Sequence, residues 1–231
     1  MVPIEAFRFN PAASAIPVAI GAAAAPLLVV DDVFADPVAA RAAARLQGPA
    51  QPRPNDFYPG SRHPLPGEFL QSFVGWLNSL VPTSGPAHGF VSIVNKPAAE
   101  LLPIQTLPHF DTTDEEIFAA VIYLFEEGFG GTSFYRHRAT GYELLSARTE
   151  PLYRAALRRD VADPAAIPRR YRNGDDALFE RIYRQEPRFN RMVLYPARLL
   201  HAGDIEPDYP GVAGIADGRL TLTLLIRRKP T

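Results

Sequence analysis

The chain contains no cysteine in 231 residues, which excludes disulfides, thiolate metal ligands and cysteine nucleophiles together. Lysine is nearly as scarce, with Lys96 and Lys229 alone against many arginines. That imbalance and the abundance of alanine read as compositional bias rather than function. Twenty-four basic and 25 acidic residues leave a formal charge of −1, so no net field draws in nucleic acid or an acidic membrane. No Gly-x-Ser-x-Gly elbow occurs, which argues against a serine hydrolase. Nor does any apolar run reach the roughly 18 residues a membrane-spanning helix needs. The apolar stretch Ile16 to Val30 lacks a basic leader, carries Glu5 against Arg8, and is interrupted by Pro17 and Pro26; it does not read as a signal peptide. These absences point to a cytoplasmic protein without nucleic-acid or membrane partners.

The length suits one domain, residues 1–231, with a core of ordinary size. An N-terminal arm with flanking helices occupies residues 1–88, and a β-rich core 89–228 is interrupted by a helical insertion at about 142–186. Leu27 to Val30 reads as a strand. Asp36 is placed to cap a helix that has Pro37 in its first turn and runs to about Gln47. Gly48 to Pro66, with six prolines, reads as loop; within it Tyr58, Arg62 and His63 either line a substrate entrance or belong to a proline-fixed surface loop. Phe69, Leu70, Phe73, Val74, Leu77 and Leu80 recur at helical spacing between Gly67 and Val81, with Trp76 off that stripe. Gly89 to Asn95 and Glu100 to Leu107 read as strands. Phe118 to Phe125 is a continuous apolar run rich in β-branched and aromatic residues, hence a buried strand, and Thr132 to Tyr135 follows as the next one. Glu150 to Arg159 and Asp175 to Gln185 read as amphipathic pieces of the insertion, which is either a lid over a site or a decoration shielding a strand edge. Arg219 to Ile226 alternates as a closing strand should. His63 and His88 have no supporting context.

The chemistry concentrates at His109-Phe110-Asp111. On a strand, residues i and i+2 share a face, so the imidazole and the carboxylate point together while Phe110 turns away. A second imidazole would complete the 2-His-1-carboxylate set that holds Fe(II) and leaves positions open; His201 is the candidate. Asp114, Glu115 and Glu116 read as a solvated acidic loop. Arg136 and His137 either reach substrate or form an exposed basic rim.

The order of Tyr123-Leu124, Gly130-Gly131-Thr132-Ser133-Phe134, Tyr195-Pro196 and His201 behind the His-x-Asp motif resembles the Fe(II)- and 2-oxoglutarate-dependent oxygenases, particularly their prolyl-4-hydroxylase-like branch, over about residues 90–228. The FYRHRATG continuation at 134–141 also resembles a bacterial subfamily of these enzymes. The resemblance implies a mainly β fold with flanking helices, a double-stranded β-helix of the jelly-roll or cupin-like kind. It also implies Fe(II) on His109, Asp111 and His201 with 2-oxoglutarate as cosubstrate, and oxidation of an unactivated carbon in an amino acid, peptidyl residue or small metabolite. Arg219-x-Thr221 resembles the family's Arg-x-Ser, which implies that Arg219 and Thr221 take the distal carboxylate of the cosubstrate; Arg227 and Arg228 are the fallback. Tyr123 is either a further cosubstrate contact or a plain core aromatic. Two other readings stand beside this one: a non-catalytic jelly-roll binding module, and a cupin-like metal enzyme that uses no cosubstrate.

Overall fold

A computed structural model describes residues 4–46, 58–126, 128–163, 167, 169–212 and 218–228. Among these residues ten strands form two antiparallel sheets, with three α-helices: β1 (Ser14–Ile20), β2 (Ala25–Asp31), α1 (Pro37–Arg45), β3 (Gly60–Pro64), α2 (Gly67–Leu77), β4 (Thr83–Val94), β5 (Ile117–Tyr123), β6 (Thr132–His137), α3 (Glu150–Asp160), β7 (Phe179–Gln185), β8 (Met192–Pro196), β9 (His201–Gly203) and β10 (Arg219–Arg228). The larger sheet runs β1-β2-β8-β5-β10-β4-β3 and the smaller β7-β6-β9. Among the described residues no helix is long and apolar enough to cross a membrane.

The larger sheet is covered on both faces, and its strands show why. On β10, Leu220, Leu222, Leu224 and Ile226 pack with Phe69, Phe73 and Leu77 of α2. The alternate residues Arg219, Thr221 and Thr223 face a cavity between the sheets, as a period of two dictates. β5 divides likewise: Phe118, Ala120 and Ile122 join the helical side, while Ala119 and Tyr123 join Phe134 and Tyr195 between the sheets. Such a strand has no solvent face to mark with polar residues, hence its unbroken apolar sequence.

Helix α1 begins as its sequence dictates. The Asp36 carboxylate accepts the Ala39 amide at 3.0 Å, Pro37 occupies the first turn, and Ala40, Ala43 and Ala44 are buried; Gln47 lies outside the described residues. Trp76, though off the α2 stripe, stacks on Phe9 at 5.0 Å and donates its indole N–H to the Asn10 carbonyl at 2.9 Å, pinning the N-terminal arm.

Three expectations need correction. Residues 60–64 are not loop but strand β3, paired with β4 at the sheet edge, the position where a strand tolerates proline; residues 48–57 lie outside the described residues. Glu100 to Leu107 is not strand: Ala98–Glu100 and Pro103–Thr106 form 3-10 turns. The second half of the insertion is not helix, since Phe179–Gln185 pairs with β6 as β7. The acidic loop also does more than meet solvent, because Asp114 and Glu116 pair with Arg227. Arg228 lies over the Phe118 ring at 4.6 Å.

The Gly130-Gly131 turn exists because backbones cross closely there. A Cβ at 131 would stand 1.9 Å from the Gln185 carbonyl oxygen, and one at 130 would meet Asp204 at 2.6 Å. Gly131→Ala must therefore part β6 from β7. Overpacking of this kind costs about 3 kcal/mol, so thermal unfolding should shift down by roughly 6–12 °C in a chain of this size. An unchanged midpoint would show that the strands part without strain.

Candidate metal centre and its cavity

The two halves of the candidate site, remote in sequence, are joined by backbone. The His109 amide donates to the His201 carbonyl at 2.9 Å, and the His201 amide donates back to His109 at 2.8 Å. This closed antiparallel pair adds the His109 segment to the small sheet beside β9. The Asp111 amide donates to the Ala197 carbonyl at 2.8 Å, which fixes the third residue.

Three donor atoms then converge. The imidazole centroids of His109 and His201 are 4.3 Å apart. Asp111 lies 3.9 Å from Nε2 of His109 and 3.7 Å from Nε2 of His201, and one ligand atom from each residue falls within 4.8 Å of the others. These separations are too long for hydrogen bonds and short enough for a shared ion. His201 is preset for that role. Its Nδ1 sits 2.8 Å from the Leu199 carbonyl oxygen, which can only accept; Nδ1 thus carries the proton and Nε2 keeps its lone pair. His109 has 59% of its side-chain surface open and lines the cavity between the sheets. The enclosing protein pushes its imidazole down to about 4, His201 adds to this, and Asp111 opposes it.

The cluster lines a cavity of about 770 Å³ between the sheets, a size that suits a small molecule. Arg219 lines the same cavity and is 4% exposed. Its Nε and Nη2 donate to the carbonyls of Gly130 at 3.1 Å and Gly131 at 2.7 Å, and the guanidinium lies 5.3 Å from the Phe125 ring. It also flanks Gly203, two residues beyond His201, with 3.6 Å to where a Cβ would stand. Among the described residues no carboxylate pairs with it. A buried, permanently charged guanidinium is a group that a bound carboxylate would neutralise. Thr221 is buried on the same strand face. Tyr123 stands one layer back, its hydroxyl 2.8 Å from Thr132 Oγ1, and Thr132 is the one that lines the cavity. Burial pushes the Tyr123 phenol up to about 12, against the opposing charge of Arg219.

Other candidates fall into place. Tyr58, Arg62 and His88 line the cavity, as do Tyr153, Arg154 and Leu157 of α3; α3 is thus a wall of the site. Arg136 neither contacts the cavity nor forms a rim, for it pairs with Glu143 and Glu180, and Glu143 also accepts the amides of Ala22 and Ala23 at 3.1 Å. His137 is likewise neither: it is fully buried, with Thr140 and Asp160 each at 3.0 Å, and ties β6 to the end of α3. Tyr171 and Arg172 line the cavity too and carried no signal in sequence, since they sit in an irregular segment that only folding brings to the site.

Burial lowers the His137 pKa, with Asp160 opposing, so the fold holds the neutral ring while the unfolded chain takes up a proton below its ordinary value. Stability should therefore fall as pH drops through about 6.5. Thermal scans of the metal-free chain should show a lower midpoint at pH 5.5 than at pH 7.5, and His137→Asn, though less stable throughout, should show a smaller difference. An equal difference in both chains would remove His137 as the cause.

No curated protein matches the chain. The family model that matches residues 11–226 is DUF6445, a family of unknown function, and the chain belongs to that family.

Proposed function

We propose that the protein is an Fe(II)- and 2-oxoglutarate-dependent dioxygenase that oxidises an unactivated carbon of a small-molecule or peptidyl substrate. The observation that carries this reading is the convergence of His109, Asp111 and His201 in one cavity with the buried, uncompensated Arg219. Two imidazoles and one carboxylate suit Fe(II) and leave coordination positions open. Bound there, the iron would couple decarboxylation of 2-oxoglutarate by dioxygen, giving succinate and carbon dioxide, to insertion of the second oxygen atom into a substrate C–H bond.

The chain's own residues would prepare that chemistry. The Leu199 carbonyl holds the His201 ring with Nε2 toward the cluster. Arg219 would take the distal carboxylate through its fork, assisted by the Thr221 hydroxyl. Tyr195 packs edge-on against His201 at 4.8 Å and backs that ring on its apolar side. The strand path favours the double-stranded β-helix: from β4 the chain goes to the His109 segment in the small sheet, to β5 in the large, to β6 and β7 in the small, then to β8, β9 and β10 by turns. Eight segments divided between two sheets in this order, with β6 and β7 adjacent in the small one, are what a jelly roll requires. A buried Arg219 supports this reading over a cupin-like enzyme without cosubstrate, in which Arg219→Ala would leave activity intact.

The test is succinate formation from 2-oxoglutarate by the full chain in air, with and without added Fe(II), beginning with the basal turnover measured before any substrate is known. Iron-dependent succinate is expected. Tight Fe(II) binding with no consumption of 2-oxoglutarate would leave the cupin-like reading, and no metal binding would leave a binding module.

A further inference from the structure

The cavity wall contributed by α3 holds a buried phenol whose hydroxyl the fold does not use. Tyr153 is 3% exposed, and its ring is gripped on two sides, edge-on to His137 at 5.2 Å and to Phe110 at 6.1 Å. His137 is itself tied to Thr140 and Asp160, so the framework sets where the ring stands. The Tyr153 hydroxyl makes no hydrogen bond among the described residues. A buried tyrosine normally finds a partner for its O–H, and a sealed, unpaired one is costly. Tyr153 lines the cavity, and its hydroxyl is not sealed in protein as that of Tyr135 is; its partner can therefore come from the cavity. Tyr171, in the same lining, is by contrast spent, donating to the Lys96 carbonyl at 2.7 Å.

The surroundings say what that partner is. The charges that act on the phenol are those of Arg154 and Arg172, both positive, which favours the O–H as donor and an acceptor oxygen opposite it. Each guanidinium already has a carboxylate, Glu150 for Arg154 and Asp176 for Arg172, so a neutral acceptor suffices. Leu107, Phe110 and Leu157 pack around Tyr153 and line the cavity with it, which makes the hydroxyl a single polar point in an apolar wall, the arrangement that orients a small ligand. Phe110 stands between the donors His109 and Asp111 in sequence, so a ligand on this wall lies against the segment that carries the cluster. We propose that Tyr153 orients the molecule to be oxidised by donating its O–H to a carbonyl oxygen of that molecule, a ketone or an amide, seated against Phe110. That the molecule is oxidised there rests on the function proposed above; the carbonyl site stands on its own geometry.

The test is ligand-detected NMR on the full native chain and on Tyr153→Phe, with acetophenone, benzamide and α-methylstyrene as probes; the last is acetophenone with a methylene group in place of the carbonyl oxygen. Tyr153→Phe keeps the ring between His137 and Phe110 and removes no hydrogen bond, so its melting temperature should not fall. At least one carbonyl probe should bind the native chain and lose roughly 2- to 10-fold in affinity in the variant, the worth of one neutral hydrogen bond, while α-methylstyrene binds both chains alike. Whichever carbonyl probe loses more names the class, ketone or amide. Failure of the native chain to bind either carbonyl probe, an equal response of all the probes to the substitution, or a lower melting temperature in Tyr153→Phe overturns the proposal. The two readings fail separately, because no iron enters these titrations. A carbonyl preference that depends on Tyr153, without iron-dependent succinate, would sink the oxygenase and keep the carbonyl site, and the converse would sink the carbonyl site alone.

Discussion

Replacing His201 by alanine is expected to cut metal affinity at least about 100-fold, the upper range for loss of a mere supporting contact to a ligand, and to bring iron-dependent succinate formation to background. Three donors within 4.8 Å are the fewest that hold the ion on one face, and His201 is the one whose orientation is locked, by Leu199. His109→Ala and Asp111→Ala should do the same, because the three act as a unit and their effects do not add. The backbone bonds between 109 and 201 do not use the side chains, so each variant should keep the fold. Calorimetric titration with Mn(II) under nitrogen, beside succinate assays, reads both quantities. Native affinity in any of the three variants would refute the site.

Arg219→Ala should give the second largest effect. Removing one partner of a buried charged pair costs about 2–5 kcal/mol, roughly 30- to 5,000-fold in the 2-oxoglutarate concentration needed for half-maximal turnover. Metal binding should remain, since Arg219 touches none of the three donor residues among its hydrogen bonds. The variant also removes the Arg219 donors from the Gly130 and Gly131 carbonyls, of which Gly131 keeps the Asp204 amide at 3.0 Å, so some loss of stability is expected with it. Arg219→Lys separates the two consequences by keeping a charge while losing the fork. It should recover part of the cosubstrate affinity, and a wild-type concentration dependence in Arg219→Ala would move the anion site elsewhere.

These expectations differ in how directly the sequence carried them. The Asp36 cap, the α2 stripe and the β5 run were legible because each is a local pattern with a single physical solution. His109 and Asp111 were legible as a pair because a strand's period of two leaves no other way to place residues i and i+2. β7 was misread because FERIYRQ satisfies both a helical and a strand period, and only the partner strand β6 decides between them. β3 was misread because Pro64 and the prolines flanking the strand signal loop unless it lies at a sheet edge, which is a property of the sheet. Arg136 and His137 had the look of site residues, yet their partners Glu143, Glu180 and Asp160 come from other elements and bind them into the framework.

By itself, then, the order of residues determined that there is no cysteine chemistry, most of the local elements, and the placing of His109 beside Asp111, since all of these depend on composition or on neighbours within a few positions. Only the tertiary structure decided that His201 meets His109, that Arg219 is buried with no carboxylate partner among the described residues, and that α3, Arg62 and Arg172 line one cavity. Long-range pairing across two sheets sets those relations, and no short window of sequence contains both sides of the pair.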